Sequence, residues 1–305
     1  MSTTPSSSRW LPGNSWSRCY GWPRNDRYAP RCGRTCGSPR GSRMFAAMPS
    51  IDASGRSIHY LDEGSGPAVL FAHGFFMDAT MFAPQMKAFR DTRRVISWDL
   101  RGHGQSPADR APFTYWDQAA DGFDLMDALG IEAATVVGMS QGGYIALRMA
   151  LAQPSRVDRL GLIDTQAVAA SAEEKAGYGA LFEQWLAHGP TDELALPLAQ
   201  QIVGEPGLVE EWVGRWRRRD PELIRYAADC ILNRDDITAR LGDITCPAAI
   251  IHGSADQAIP VSEAERLHAD ISGESTLTII DGAPHAASLT HPAEANAAIA
   301  ELLSR

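Results

Sequence analysis

What this chain lacks already limits its class. No stretch of about 18 apolar residues occurs among its 305 positions, so no membrane-spanning helix is expected. Cysteine is scarce. Three of the five cysteines (Cys19, Cys32 and Cys36) fall in the first 43 residues, which leaves Cys230 and Cys246 for everything else. That is not a disulfide framework; it fits a reducing, cytoplasmic setting and two buried thiols. No repeat of solenoid period is visible. Basic charge is also lacking outside one short region. Residues 1–43 hold eight arginines against a single acid, Asp26, so the other 262 residues carry 20 basic and 36 acidic side chains. A body that acidic argues against nucleic-acid backbone as a partner and favours a neutral or apolar small molecule.

The basic head is rich in Arg, Ser, Pro, Gly and Cys and has three tryptophans without a hydrophobic period. It has no apolar central run, so it is no secretory signal. An amphipathic pattern of the transit-peptide kind is missing. Cys32 and Cys36 lack the second well-spaced pair that a zinc knuckle needs. Residues 1–43 are therefore expected to stand outside the folded domain, as a disordered or wrongly assigned leader. Met44 and Met48 sit where the globular pattern begins.

From about residue 50 short apolar runs alternate with helical ones. The pattern predicts strands over Ser57–Asp62, Ala68–Ala72, Arg94–Trp98, Ala134–Val137, Arg159–Ile163, Ala248–His252 and Ser275–Ile280. It predicts helices over Ala79–Arg90, Tyr115–Leu129, Gln141–Gln153, Val261–Ile271 and Pro292–Leu303. Strands such as Val69-Leu-Phe-Ala72 are apolar throughout, the mark of a mostly parallel sheet covered on both faces. The alternation gives an α/β architecture. Thr165–Arg240 breaks it: the stretch is rich in Ala, Glu, Leu and Trp, has no good strand, and reads as a helical cap inserted over the sheet's carboxyl edge.

Gly138-Met-Ser-Gln-Gly142 fits the G-x-S-x-G elbow. The match alone is weak. Its setting strengthens it, because an apolar strand precedes it and a helical run from Tyr144 follows. So tight a turn should force Ser140 to a positive φ, at a cost of about 1–3 kcal/mol. Side chains at 138 and 142 would collide with the neighbouring strand and helix.

A serine hydroxyl needs a base. Of eight histidines, His285 lies just past the last strand in Asp281-Gly-Ala-Pro-His285, where sites gather in such sheets. His291 precedes Pro292 and reads as the start of the final helix. His73 and His103 read as structural loop residues. The orienting acid should also end a strand. Asp256, after Gly253-Ser-Ala, is preferred; Asp164, after Arg159–Ile163, is the rival. With Asp256 the order is Ser140, Asp256, His285. The His73-Gly74 turn after Ala68–Ala72 brings a backbone amide toward the elbow, so Phe75 and Gln141 are the expected oxyanion-hole donors, through their main-chain N–H groups.

His73-Gly74, Asp99-Leu-Arg-Gly-His-Gly-Gln-Ser106, Gly138 to Gly142, Gly253 to Asp256 and Pro284-His285 occur in this order. Together they resemble the α/β-hydrolase superfamily over about residues 50–305, and within it the small bacterial esterases, enol-lactonases and cofactor-free haloperoxidases or perhydrolases. The resemblance implies an α/β-hydrolase fold in residues 44–305, with the cap at about 165–240, and a structural role for Asp99 to Ser106. Dehalogenases and epoxide hydrolases of the family carry an aspartate at the elbow, and Ser140 argues against both. The implied activity is hydrolysis of a small to medium carboxylic ester or lactone through an acyl-enzyme, requiring no metal or organic cofactor. A carbon–carbon bond hydrolase or an acyltransferase would use the same triad, and a non-hydrolytic receptor on this fold is the rival of a different class. Tyr178, Phe182, Trp185, Trp212 and Trp216 are candidates to line the substrate cavity or to pack as core. Arg217-Arg-Arg219 would meet a carboxylate substrate or form a solvated helix face. The oligomeric state is left open.

Overall fold

The computed structural model describes residues 49–107 and 110–305. The expectation for the head, residues 1–43, lies outside the described residues. Eight strands form one sheet: β1 Ser50–Ala53, β2 Arg56–Gly64, β3 Ala68–Ala72, β4 Arg94–Trp98, β5 Ala134–Met139, β6 Val157–Ile163, β7 Ala248–Gly253 and β8 Ser275–Ile280. Their spatial order is β1-β2-β4-β3-β5-β6-β7-β8. β2 is antiparallel to both of its neighbours, and every other pair is parallel. The strand missing from the sequence pattern is β1. Only Ala53 of its four residues is buried, so it carries no apolar signature. It is fixed instead by a two-residue hairpin in which Ser54 and Gly55 both take positive φ, the primed-turn geometry that matches strand twist.

The chain lays β4 on one side of β3 and β5 on the other, so strand order reverses at β3. At such a reversal the loops leaving the two strands diverge and open a crevice beyond their carboxyl ends. Register places Ala72 beside Gly138, so the loops after β3 and β5 emerge side by side. β5 is buried along its whole length, and α3 (Gln141–Ala152) that follows it is buried at all but its last residue. Continuous apolar sequence in these elements reflects burial on both faces.

The remaining helices are α1 Ala83–Phe89, α2 Tyr115–Ala128, α4 Ala172–His188, α5 Asp192–Ile202, α6 Pro206–Trp216, α7 Arg225–Leu232, α8 Val261–Asp270, α9 Ala287–Thr290 and α10 Pro292–Ser304. The helix predicted over Ala79–Arg90 is split. A 3-10 turn over Ala79–Phe82 precedes α1, because Pro84 suits the first turn of a helix but not its interior. His291 is the N-cap of α10, as its Pro292 neighbour suggested.

Helices α4 to α7 fall between β6 and β7, and no strand interrupts them. Ser171 starts α4 with a capping box: its side chain accepts from the Glu174 N–H, and the Glu174 carboxylate accepts from the Ser171 N–H. Among the described residues no helix is long and apolar enough to cross a membrane.

Candidate active site

Ser140 ends β5 and begins α3 with φ 52°, a left-handed conformation that a non-glycine residue adopts only under constraint. The glycines on either side make the turn sterically feasible. A Cβ at Gly138 would run into the Gly142 carbonyl, and one at Gly142 into the Ala72 carbonyl at the end of β3. The expected strain and the expected collisions are both present. Hydrogen bonds hold the strained residue. Its N–H donates to Ile163 O at 2.9 Å, and Thr165 Oγ1 donates to its carbonyl at 2.8 Å.

Phe76 and Asp164 also have positive φ, at 64° and 47°. They lie in the loops after β3 and β6, so three successive loops of the sheet's central carboxyl edge are each held by a strained residue. Strain of this kind persists only where surrounding structure over-determines it.

His285 lies in the loop after β8, and its Nδ1 is 2.8 Å from Asp256 Oδ2, in the loop after β7. The other oxygen of Asp256 accepts the Ala258 and Ile259 N–H groups at 2.7 and 3.1 Å, which fixes the carboxylate's direction. Burial pushes the Asp256 pKa up, but the His285 charge, its hydrogen bond and the two amides outweigh that, and the net direction is down. Burial pushes His285 down; the Asp256 charge and hydrogen bond, with a smaller contribution from Asp164, outweigh it and raise the net value. Nδ1 is occupied by Asp256, which leaves Nε2 for the cavity that His285 and Ser140 both line.

Asp164, the rival acid, serves different partners. Oδ1 accepts the Gly253 N–H at 2.8 Å and Oδ2 the Ala287 N–H at 3.0 Å. One carboxyl group thereby ties β7, where the Asp256 loop starts, to the residue two places after His285. Burial pushes its pKa to about 8, with the His285 charge pulling against this and Asp256 adding to it. Between the two acids sits His252. Its Nε2 lies 3.0 Å from Ile259 O, and since a carbonyl only accepts, that nitrogen carries the proton. Nδ1 has no hydrogen-bond partner among the described residues and lies 3.9 Å from Asp164 Oδ1.

Asp164, His252 and Asp256 bring ligand-type atoms within 4.8 Å of one another. Every carboxyl oxygen of the two acids already accepts a hydrogen bond and His252 Nε2 donates to a carbonyl, so the set fits a hydrogen-bonded floor better than a cation site.

The backbone N–H groups of Phe75 and Gln141 have no acceptor among the described residues. Gln141 lies in the elbow and Phe75 in the loop after β3, and the Ala72–Gly138 pairing sets these two segments side by side. His73 and His103 are built into the scaffold. His73 Nε2 accepts the Leu100 N–H at 3.0 Å, and His103 Nδ1 bonds Arg101 O at 2.9 Å. Burial drives both rings toward the neutral form. Asp99 accepts from His59, Ala79 and Gln105, and a Cβ at Gly104 would strike its carboxylate, so the Asp99–Ser106 turn is framework.

Of the aromatic candidates, Tyr178 and Phe182 line the cavity. Trp185 and Trp216 pack on the far side of Phe76, and Trp212 is buried under Arg215. The arginine run does not reach the cavity either. Arg217 pairs with Asp192, and Arg219 donates to the Gly104 carbonyl. The cavity's arginine is Arg234, with Glu174, Gln166 and Tyr144 beside it. Sequence reasoning missed this group. In Asn233-Arg-Asp-Asp236 the arginine looks like any surface charge, and only the fold brings it against α3 and α4.

Similarity to known proteins follows the same lines. Residues 67–292 match the family described as the alpha/beta hydrolase fold. Over 234 residues the chain is 28% identical to 3-oxoadipate enol-lactonase 1 of Acinetobacter baylyi, covering 75% of this chain and 85% of the relative. Over 260 residues it is 28% identical to a non-heme chloroperoxidase of Streptomyces lividans, covering 79% and 93%. A solved structure of a thermophilic esterase from Thermogutta terrifontis superposes with a TM-score of 0.78 at 28% identity, covering 85% of this chain and 98% of the other. The chain belongs to the α/β hydrolase fold family.

Proposed function

We propose that this protein is a serine hydrolase cleaving a small to medium carboxylic ester or lactone, with Ser140 as nucleophile, His285 as base and Asp256 as orienting acid. The carrying observation is the 2.8 Å His285–Asp256 pair facing the same cavity as a serine held at φ 52° on a glycine-flanked elbow. The enol-lactonase and esterase relatives support the substrate class.

In this mechanism Ser140 Oγ attacks the carbonyl carbon while His285 Nε2 takes the hydroxyl proton. Charge moves to the carbonyl oxygen, where the Phe75 and Gln141 amides receive it, each worth about 3–4 kcal/mol in the transition state. The carbon–oxygen bond to the leaving group breaks as His285 returns the proton to the alcohol. Water then attacks the acyl-enzyme as His285 takes one of its protons, and that proton passes to Ser140 Oγ as its bond to the acyl carbon breaks and the acid leaves. Asp256 stays ionised throughout; it holds the imidazole tautomer and stabilises its cation. Helices α4 to α7 act as the cap, closing the cavity with Tyr178, Phe182, Leu198 and Ile231. Cys230 and Cys246 are free, in keeping with a cytoplasmic protein.

The test is hydrolysis of p-nitrophenyl esters from acetyl to decanoyl by wild type and Ser140→Ala in parallel. Wild-type turnover should drop at least about a thousandfold in the variant. Turnover that survives the substitution would remove Ser140 from the mechanism, and product analysis with added alcohol separates hydrolase from acyltransferase.

A further inference from the structure

Away from Ser140 and His285, most of the cavity wall is apolar, formed by side chains such as Phe75, Phe76, Phe182 and Ile202. One side is not. Tyr144, Gln166, Glu174, Tyr178 and Arg234 face it together. Gln166 Nε2 donates to Tyr144 Oη at 3.3 Å and to Glu174 Oε1 at 3.4 Å, and Arg234 donates to the same Glu174 oxygen at 2.9 Å. Arg234 also lies over the Tyr144 ring, 5.2 Å from its centre. Tyr178 stands one turn after Glu174 on α4.

The group's unused valences are informative. Among the described residues Tyr144 Oη only accepts, from Gln166, so its proton has no acceptor; the Tyr178 hydroxyl proton has none either, and Gln166 Oε1 has no donor. Tyr144 is only 3% exposed. A buried donor left without an acceptor costs about 1–3 kcal/mol, so an apolar residue would serve better here if packing were the sole role. Charge narrows the ligand further. Arg234 is paired with Glu174 and also donates to the Val168 and Ile231 carbonyls, so the group carries no net charge. An incoming carboxylate would meet Glu174 with no uncommitted cation to compensate. An uncharged group that both accepts and donates meets the tyrosine hydroxyls with its oxygen, and Gln166 Oε1 or Glu174 with its hydrogen.

We propose that this wall is a second recognition subsite, which takes an uncharged hydrogen-bonding group of the substrate, of the amide or hydroxyl class, beside the ester or lactone being cleaved. The subsite rests on the hydrolase function above for its setting, but its binding chemistry is independent of turnover. Tyr144 lies four residues after Ser140 on the same helix face, so the bound group sits within a few atoms of the scissile carbonyl.

Three isosteric acyl groups test it: N-acetyl-β-alanine, its branched alkyl counterpart isoheptanoic acid, and the half-ester of glutaric acid. As p-nitrophenyl esters, corrected for spontaneous hydrolysis, they should give the wild type a kcat/KM at least tenfold higher for the amide than for the alkyl group, with glutarate lowest. Tyr178→Phe and Gln166→Leu should each pull the amide-to-alkyl ratio toward one. Equal rates for amide and alkyl, a preference for glutarate, or a ratio untouched in both variants would overturn the subsite. p-Nitrophenyl acetate, too short to reach the wall, reports the hydrolase function separately. Calorimetric binding of the three methyl esters to Ser140→Ala then reads the subsite without catalysis. Tighter binding of the amide ester supports the proposal even where no ester is turned over, and equal binding refutes it even where acetate is cleaved.

Discussion

The loops after β6 and β7 each place an aspartate close to His285 and His252, and the two acids make a controlled comparison. Both side chains are fully buried. Each accepts two backbone N–H groups, Asp164 from Gly253 and Ala287, Asp256 from Ala258 and Ile259. Asp256 alone reaches the His285 ring. The His285 charge and hydrogen bond hold Asp256 below the ordinary carboxylate range, while deeper burial, with the Asp256 charge adding to it, pushes Asp164 to about 8. Amide bonds are common to both, so depth of burial and the imidazole contact together decide which acid stays charged.

The largest break in this comparison is expected from removing the two charges one at a time. Asp256→Asn keeps the shape but presents an amide to Nδ1 and releases the tautomer that the mechanism needs. A kcat loss of about ten-thousandfold is expected. Asp164→Asn removes a group that is already neutral below about pH 8, and should cost tenfold or less. Steady-state rates on p-nitrophenyl acetate read both. A greater loss from Asp164→Asn than from Asp256→Asn would exchange their roles.

Stability should answer to the amide partners and not to the charge. Asp164→Ala strands the Gly253 and Ala287 amides in a fully buried place, at about 1–3 kcal/mol each. Urea denaturation should therefore show unfolding free energy lower by about 2–6 kcal/mol. Alanine at φ 47° adds to the penalty. A variant as stable as wild type would mean that the two loops do not depend on this carboxyl group.

The contrast between these acids marks where sequence reasoning reaches its limit. Ser140 and His285 were legible because each is announced locally, one by glycines that only a tight elbow requires, the other by a turn after an apolar strand. The central strands were legible because burial on both faces leaves no polar alternation. Choosing Asp256 over Asp164 took the strand-end position and chain order, which left the rival standing; the 2.8 Å contact that separates them joins residues 29 apart in sequence. β1 escaped because a four-residue edge strand with one buried residue has no pattern. The Tyr144–Gln166–Glu174–Arg234 group escaped for a related reason. Its members come from α3, the loop after β6, α4 and the segment after α7, and no local signal marks residues whose shared property is a cavity.

The smallest expected effect is also the sharpest test of the protonation assignment. With His285 as the proposed general base, activity requires its neutral form, so kcat/KM should rise with pH through the His285 pKa, which lies above the ordinary histidine value. Asp256→Asn takes away the charge that raises it, so the ascending limb of what activity remains should move to lower pH. Asp164→Asn removes only the smallest of the contributions that raise His285, and below about pH 8 replaces a mostly protonated carboxyl group by another neutral one, so the limb should fall by no more than about half a unit. If Asp164 were ionised while His285 titrates, the same substitution would remove a negative charge from behind the ring, and the limb would fall by a unit or more. The acids would then share the imidazolium, and the protons would belong to the whole cluster of Asp164, His252, Asp256 and His285. A limb that stays in place assigns the charge to Asp256 alone and leaves Asp164 as the neutral tie between the two loops.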